Sequence, residues 1–254
     1  MLKEERQRYI RRIIEDQGQV SVATLARQFG VAEMTIRRDL RELGAQGIIQ
    51  RVRGGALLPE RQHALIEPPV LERINEEAAA KKRIGQAAAA LIAEGETIFL
   101  GSGTTTLAVA QALRERRNIT VVTNALTVIN ALTDSDLTVV VAGGFFRRSE
   151  LSFIGHITEA SIRDLRVDKV IIGMRGIDPE YGLTSDHLQE LQTDQAIMRI
   201  GNMVIIVADH TKFGRVATSR VAPVTVAKMI ITDSEASPAI VATLREMGIE
   251  VIQV

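Results

Sequence analysis

Along the first 56 residues the apolar positions recur at helical spacing and are interrupted by glycine. Tyr9, Ile10, Ile13 and Ile14 form one stripe and predict a first helix, with Gly18 as its stop. Ser21 is placed to cap a second helix whose inner face is Val22, Leu25, Ala26 and Phe29, ended by Gly30 after barely two turns. A third helix begins near Ala32. At about 100° per residue, Ile36, Leu40 and Leu43 share its inner face. Met34, Arg38 and Arg41 then point away, with Thr35 and Arg37 on the flanks. Two short helices joined by a tight glycine turn predict a helix-turn-helix, Ala26 being small enough for the axes to approach. After Gly47 the run IIQRVRGGA is β-like and sets Arg51 and Arg53 on one side, as in a wing.

The pattern then changes twice. Residues 57–70 carry Pro59, Pro68 and Pro69 among mixed residues, a boundary that helix does not cross. From about Val70 to Glu94 the chain is Ala-rich and helical in period, ended by Gly95. From residue 97 onward, TIFLG, ITVVTN, LTVVVAGG, KVIIGM, MVIIVAD, KMIITD and IEVIQV alternate with helical stretches. Continuous β-branched runs are expected where a sheet is covered by helices on both faces. The prediction is an α/β chain: a small N-terminal winged helix-turn-helix over 1–57, a linker over 58–75, and a larger doubly wound domain over 76–254. In such a domain ligands sit at the C-terminal ends of the strands.

Charge sharpens this division. Net charge is zero, but residues 1–56 hold 11 Lys/Arg against 7 Asp/Glu, and the remainder is acidic by the same margin. A basic end on an acidic body suits a DNA-binding module joined to another domain. The DNA-facing set expected is Ser21, Met34, Thr35, Arg37, Arg38, Arg41, Arg51 and Arg53, arginine being able to grip guanine edges or phosphate. The chain has no cysteine, so thiol nucleophiles, disulfides and thiolate metal sites are excluded. No apolar run approaches the roughly 20 residues that span a bilayer, and the N-terminus is charged, unlike a secretory leader. A cytoplasmic protein without membrane attachment is expected.

In the second domain the loop GSGTTT, Gly101 to Thr106, joins the first strand to a helix. Glycines let backbone N–H groups approach an anion, hydroxyls add donors, and the helix N-terminus adds a favourable dipole. The loop matches neither a Walker loop nor the dinucleotide GxGxxG pattern. Thr123 and Asn124 end the second strand; Gly143, Gly144, Arg147 and Arg148 follow the third. Arg175 and Asp178 follow the fourth, and Asp209 and Lys212 the fifth.

VSVATLARQFGVAEMTIRRDLRELGAQGIIQRVRGGA resembles the N-terminal domain of the DeoR family of bacterial regulators, with TIRRDL followed by RVRGGA as the signature. Ala32 departs from it where the family commonly has a capping Ser. GSGTTT, TN at 123–124, AGG at 142–144, GLT at 182–184, ADHTKFG at 208–214 and ITD at 231–233 resemble its sensor domain. The resemblance implies a ribose-5-phosphate-isomerase-like fold and a phosphorylated sugar or related metabolite as effector. It implies that Gly101, Ser102, Gly103, Thr104 and Thr105 hold the phosphate with Lys212 as counter-charge. Thr123, Asn124, Arg175, Asp178 and Glu190 would border the sugar. With the strand-end residues Gly143, Gly144, Arg148 and Asp209 they complete the expected effector set.

A repressor controlling a carbohydrate operon is therefore expected, acting as a homo-oligomer, dimer or tetramer, on a double-stranded operator. The competing reading is a sugar-phosphate isomerase fused to a helix-turn-helix. A hand alignment puts Ile172, Arg175 and Ser185 where the isomerase has catalytic groups and leaves only Asp194 as a carboxylate, which favours binding without turnover. His63, His156, His187 and His210 lie apart, with no HExxH, and no GxSxG is present, so neither catalytic residues, a metal nor a cofactor is expected.

Overall fold

In the computed structural model the residues described are 3–17, 19–45, 48–52, 54–57 and 68–254. Gly18, Gly47, Arg53, Pro59 and most of the expected linker lie outside them. The chain divides into two compact units between Pro68 and Pro69.

The first unit consists of α1 (Lys3–Gln17), β1 (Gln19–Ser21), α2 (Val22–Phe29), α3 (Glu33–Ala45), β2 (Gln50–Val52) and β3 (Gly55–Leu57). Ile10, Ile14, Val22, Leu25, Ile36, Leu40, Leu43, Ile49 and Ala56 form its core. Tyr9, expected in the α1 stripe, is exposed. Ile10 and Ile14, one turn apart, centre the buried face and leave Tyr9 outside it. Ser21 Oγ accepts the Thr24 N–H at 3.0 Å as the α2 cap. Gly30 closes α2 in the left-handed region at φ 63°, its N–H turned to Ala26 and Arg27 carbonyls. The sheet runs β1-β3-β2, all antiparallel, so the wing hairpin gains a third strand that the sequence did not announce.

The double glycine of RVRGGA is explained here. Gly54 turns the hairpin at φ 91°, and a Cβ on Gly55 would lie 2.1 Å from the Val20 carbonyl oxygen. No side chain fits where β3 crosses β1.

The second unit begins with α4 (Val70–Arg73) and α5 (Ala78–Ala90). Then β4 (Thr97–Leu100), α6 (Thr104–Leu113), β5 (Thr120–Thr123), α7 (Leu126–Leu132) and β6 (Thr138–Val141) alternate. A hairpin of β7 (Phe145–Arg147) and β8 (Ser152–Ile154) leads through α8 (His156–Ile162) to β9 (Val167–Ile172). After β10 (Gly176–Asp178) and β11 (Gly182–Ser185), α9 (Leu188–Ile200) runs directly into β12 (Gly201–Val207). The chain ends with β13 (Ser219–Ala222), β14 (Met229–Thr232), α10 (Pro238–Glu246) and β15 (Glu250–Gln253).

All seven apolar runs read from the sequence become the strands of one parallel sheet, ordered β15-β14-β12-β9-β4-β5-β6. Alternation sends Phe99, Val122, Val170 and Ile206 into the core on one face and Ile98, Val121, Ile171 and Ile205 into the core on the other. Strand order reverses between β4 and β9, so the connections leave in opposite directions there, the place where such sheets bind ligands. β6 departs from the expected pattern: its Val140 and Val141 are exposed. A second, antiparallel sheet, β10-β11-β13, flanks the main one.

Candidate DNA interface and effector site

On α3 the inner face is Ile36, Leu40, Leu43 and, unexpectedly, Asp39. Arg6 reaches from α1 to grip the Asp39 carboxylate at 2.5 and 3.3 Å, and Gln7 adds a bond at 3.3 Å. Removing one partner of a buried pair strands the other charge, at a cost of about 3–5 kcal/mol. The aspartate of TIRRDL therefore fixes α3 against α1.

The outer face carries Met34, Arg37, Arg38 and Arg41, all exposed, with Thr35 half-buried. The Arg38 side chain is 78% exposed and lies 3.8 Å from Glu42, one turn on. Arg37 pairs loosely with Glu33 at 3.2 Å. Glu42 also takes Lys3 at 2.6 Å and Gln7 at 2.9 Å. Lys3, then Gln7, hold the Glu42 carboxyl below the usual carboxylate range. A cleft of about 330 Å³ between α1 and α3 is lined by Lys3, Arg6, Met34, Thr35, Arg38 and Asp39. Arg51 is exposed, its stem 3.4 Å from where a Cβ on Gly44 would be, so the wing leans on α3. Ser21 serves as a cap, and Arg53 lies outside the described residues.

In the second unit Gly101, Ser102 and Gly103 leave β4 at the reversal of strand order and run into α6. A Cβ on Gly101 would sit 2.9 Å from the Ile172 side chain, and one on Gly173 would face the Val207 and Ser102 carbonyl oxygens at 3.6 and 3.9 Å. At Gly101 the missing side chain lets the end of β4 approach Ile172 at the end of β9, whereas the space beside Gly173 would admit a Cβ. Gly103, at φ 118°, caps α6 without any side-chain bond, so the first-turn N–H groups keep their anion-binding capacity. Thr104 and Thr105 are buried there, and Thr106 turns its hydroxyl back to the Gly103 carbonyl at 2.9 Å.

Lys81 joins this end of the sheet from α5. It is buried, donates to the Arg73 carbonyl at 2.9 Å, and lines a cleft of about 450 Å³ with Thr104. Burial pushes its ammonium pKa down; Asp209 opposes that and Lys212 adds to it, so the three groups are near neighbours. Asp209 is buried and accepts the Thr211 N–H at 3.1 Å. The sequence places Lys81, with Arg73, in a segment that resembles the DeoR family's entry helix, but the expected effector set leaves it out. The available signal was a lysine on the inner face of an otherwise Ala-rich run.

The remaining expected residues divide into braces and ligand candidates. Thr123 bonds the Leu100 carbonyl at 2.7 Å and accepts the Ala125 N–H, tying β5 to β4. Asn124 donates to the Phe153 carbonyl at 2.8 Å, and its buried Oδ1 has no partner among the described residues. Gly143 faces open space, whereas a Cβ on Gly144 would strike the Thr158 hydroxyl at 2.0 Å. Asp178 is given to a turn, accepting the Glu180 and Tyr181 N–H groups at 2.9 and 2.8 Å. Arg148 is exposed.

Its neighbour Arg147 turns inward instead and pairs with Glu190 of α9. Glu150, 4.0 Å from Arg147, pairs with Arg73 of α4. Arg175 pairs with Asp186 at 3.0 Å. Arg147, Asp186, His187 and Glu190 line a smaller cavity of about 220 Å³. Asp194, one turn beyond Glu190, is buried; desolvation first, then the Glu190 charge, push its carboxyl well above the usual range.

Among the described residues His210, Asp233 and Glu235 bring potential metal ligands within 4.8 Å of one another. Asp233, however, already accepts the His210 and Glu235 N–H groups at 2.7 and 2.9 Å and faces His210 Nδ1 at 3.0 Å. That bonding fixes the loop after β12. No helix among the described residues is long and apolar enough to cross a membrane.

The chain is similar to known proteins along nearly its whole length. The chain is 34% identical over 251 residues to the glycerol-3-phosphate regulon repressor of Escherichia coli, covering 98% of each chain. It is 33% identical over 234 residues to the transcriptional repressor AccR of Agrobacterium fabrum, covering 91% of this chain and 90% of that one. Among solved structures, ribose 5-phosphate isomerase A of Methanocaldococcus jannaschii overlaps at a TM-score of 0.41 and 14% identity, over 54% of this chain and 55% of that one. Residues 6–62 match the DeoR-like helix-turn-helix domain and residues 76–234 the DeoR C-terminal sensor domain. A basic helix facing outward in one unit and an anion-ready loop in the other are the two parts of a regulator, and this chain belongs to the DeoR family of transcription regulators.

Proposed function

We propose that the chain is a repressor whose α3 ridge and wing read an operator and whose second unit binds a phosphorylated sugar or related phosphometabolite at Gly101–Thr105. The observation that carries this is the uncapped N-terminus of α6, at the reversal of strand order, with Lys81 and Lys212 nearby. Among the relatives is a repressor of a glycerol-3-phosphate regulon, which makes small phosphorylated polyols sensible first candidates. Thr35, Arg37, Arg38, Arg41 and Arg51 are the side chains assigned to DNA. Asn124, Arg175 and Glu190 are assigned to the ligand's hydroxyls, and Arg147 replaces Arg148 in that role because it faces inward. Asp178 and Thr123 support the site through the backbone. Binding without turnover fits the positions the isomerase would need: Ser185 cannot serve as a lysine, and burial, then the Glu190 charge, raise the Asp194 carboxyl well above the usual range, away from a free carboxylate base. Two copies acting on a repeated or palindromic site follow from the small reach of one winged helix. The proposed division is a DNA-binding module up to about residue 57 and a sensor from about residue 76.

A thermal-shift screen of sugar phosphates beside the free sugars tests the effector reading, since a ligand bound only to the native state raises its melting point. A rise with phosphorylated compounds only is expected, and Thr104→Val is expected to reduce it at least tenfold in ligand concentration while effector-free DNA binding persists. Equal shifts with free sugars, or a Thr104→Val response like that of the wild type, would remove the loop from the site.

A further inference from the structure

β6 is one edge of the parallel sheet and pairs with β5 alone among the described residues. Successive side chains of a strand point to opposite faces, and Val140 is 41% and Val141 47% exposed, so an apolar side chain stands open to solvent on each face although Val139 and Ala142 pack inward. The apolar patch continues into Phe145 at 58%, Phe146 at 44% and Ile157 at 50%. Phe145 lies edge-on to His156, with ring centroids 5.5 Å apart. The opposite edge is built differently: β15 exposes Glu250 and Gln253 and buries Val251. Charges and prolines are what keep sheet edges from pairing, and residues 137–146, LTVVVAGGFF, contain neither.

We propose that β6 and the adjoining face of β7 form the interface between two copies of this chain, joining their sheets edge to edge. The occupant must satisfy an open hydrogen-bonding edge and cover apolar side chains on both faces at once, which a second β6 does by itself. A twofold axis perpendicular to the sheet runs the two strands antiparallel and keeps each residue on its own face. Paired residue numbers then sum to an even value, and a register centred on the strand sets Val140 opposite Val140 and Val139 opposite Val141. The five exposed side chains offer about 400 Å² per copy, taking about 150–250 Å² as the full area of the largest of them. That is about half of the roughly 800 Å² each partner gives to a standard interface, the share its apolar core should have, with a polar rim supplying the rest. The inference rests on the reading of the chain as a regulator that presents two winged helices, and names the surface that pairs them.

Because the chain has no cysteine, Val139→Cys, Val140→Cys and Val141→Cys each introduce a single thiol into the full-length protein. Facing Cβ atoms lie about 4.5–5.5 Å apart, within reach of oxidation or a short bismaleimide. At least one of the three is expected to give a covalent dimer at micromolar concentration, and Glu250→Cys on the opposite edge none. Val140→Lys combined with Phe145→Asp, both at exposed positions, should halve the sedimenting mass and leave the circular dichroism unchanged. A monomeric wild type, an undiminished mass in the charged variant, or equal cross-linking at both edges would overturn the proposal. An undiminished mass together with binding of the wild type to lipid vesicles would assign the patch to a membrane instead. Neither readout uses DNA, so a wild type that dimerises through β6 but binds no operator would refute the regulator reading alone.

Discussion

Glu42 lies on the same helix as the arginines assigned to DNA, and it holds Lys3 at 2.6 Å and Arg38 at 3.8 Å. Both cations line the cleft between α1 and α3, beside the ridge proposed to meet DNA phosphate. A carboxylate there repels phosphate and occupies its partners. In water each such interaction is weak, but Glu42→Gln releases both cations at once. Glu42→Gln should therefore tighten binding about three- to tenfold near 0.1 M salt, on operator and unrelated DNA alike. The slope of log K against log salt should steepen by about one as a further cation becomes available to phosphate. Fluorescence anisotropy across a salt series measures both. Weaker binding would mean that Glu42 holds Arg38 in its reading geometry. Nothing in the sequence distinguished this glutamate from any solvated helical one, because its partner Lys3 is 39 positions away. The same blindness separates Arg147 from Arg148: the sequence places both after a strand, and only the meeting of Arg147 with Glu190 on α9 shows that one turns inward and the other out.

At the scale of elements, a run of buried ionic contacts crosses the second unit. Arg73 on α4 meets Glu150, Glu150 lies near Arg147 at the end of β7, and Arg147 meets Glu190 on α9. The Val70 N–H also bonds the Ser149 carbonyl at 2.7 Å, so α4, which opens this unit, is fastened to the β7–β8 turn. Asp194 faces the same group as a third carboxylate beside two guanidinium groups, and stays protonated above its ordinary value. Its folded pKa exceeds its unfolded one, so between the two the native state binds more protons and stability falls as pH rises. Asp194→Asn should match the wild type in melting point below about pH 4, where both are neutral. It should exceed the wild type increasingly as pH climbs, levelling off above the folded value. Parallel curves across that range would show that Asp194 holds no extra proton. The seven parallel strands were legible because a covered sheet demands uninterrupted β-branched runs. β10, β11 and β13 were not, being short and mixed in polarity. β11 finds its partner β13 more than thirty residues away, through a register shift at Leu183 and Thr184. Asp39 was hidden for a related reason, its partner Arg6 lying on another helix.

For the whole molecule, the two units have separate cores and meet in sequence at Pro68 and Pro69. Charge follows the same division, since the basic excess lies wholly within the first 56 residues. Regulation requires the effector to prefer one of two arrangements of this assembly, and that preference must be reciprocal: whatever factor the effector applies to operator affinity, the operator applies to effector affinity. A fragment comprising residues 69–254 retains both sensor cores and every residue assigned to the phosphate. It should melt in one cooperative transition and take up a sugar phosphate with the affinity of the full chain measured without DNA. Adding operator should then change the full chain's effector affinity, by about 5–150-fold if the coupling is of ordinary size, and leave the fragment's untouched. Calorimetric titration of both proteins with and without operator decides this. Equal response of fragment and full chain to DNA would place the operator contact in the acidic body. A fragment that folds yet ignores the effector would show that the first unit contributes to the sensor site, because the glycine and threonine loop alone would then be insufficient to hold the anion.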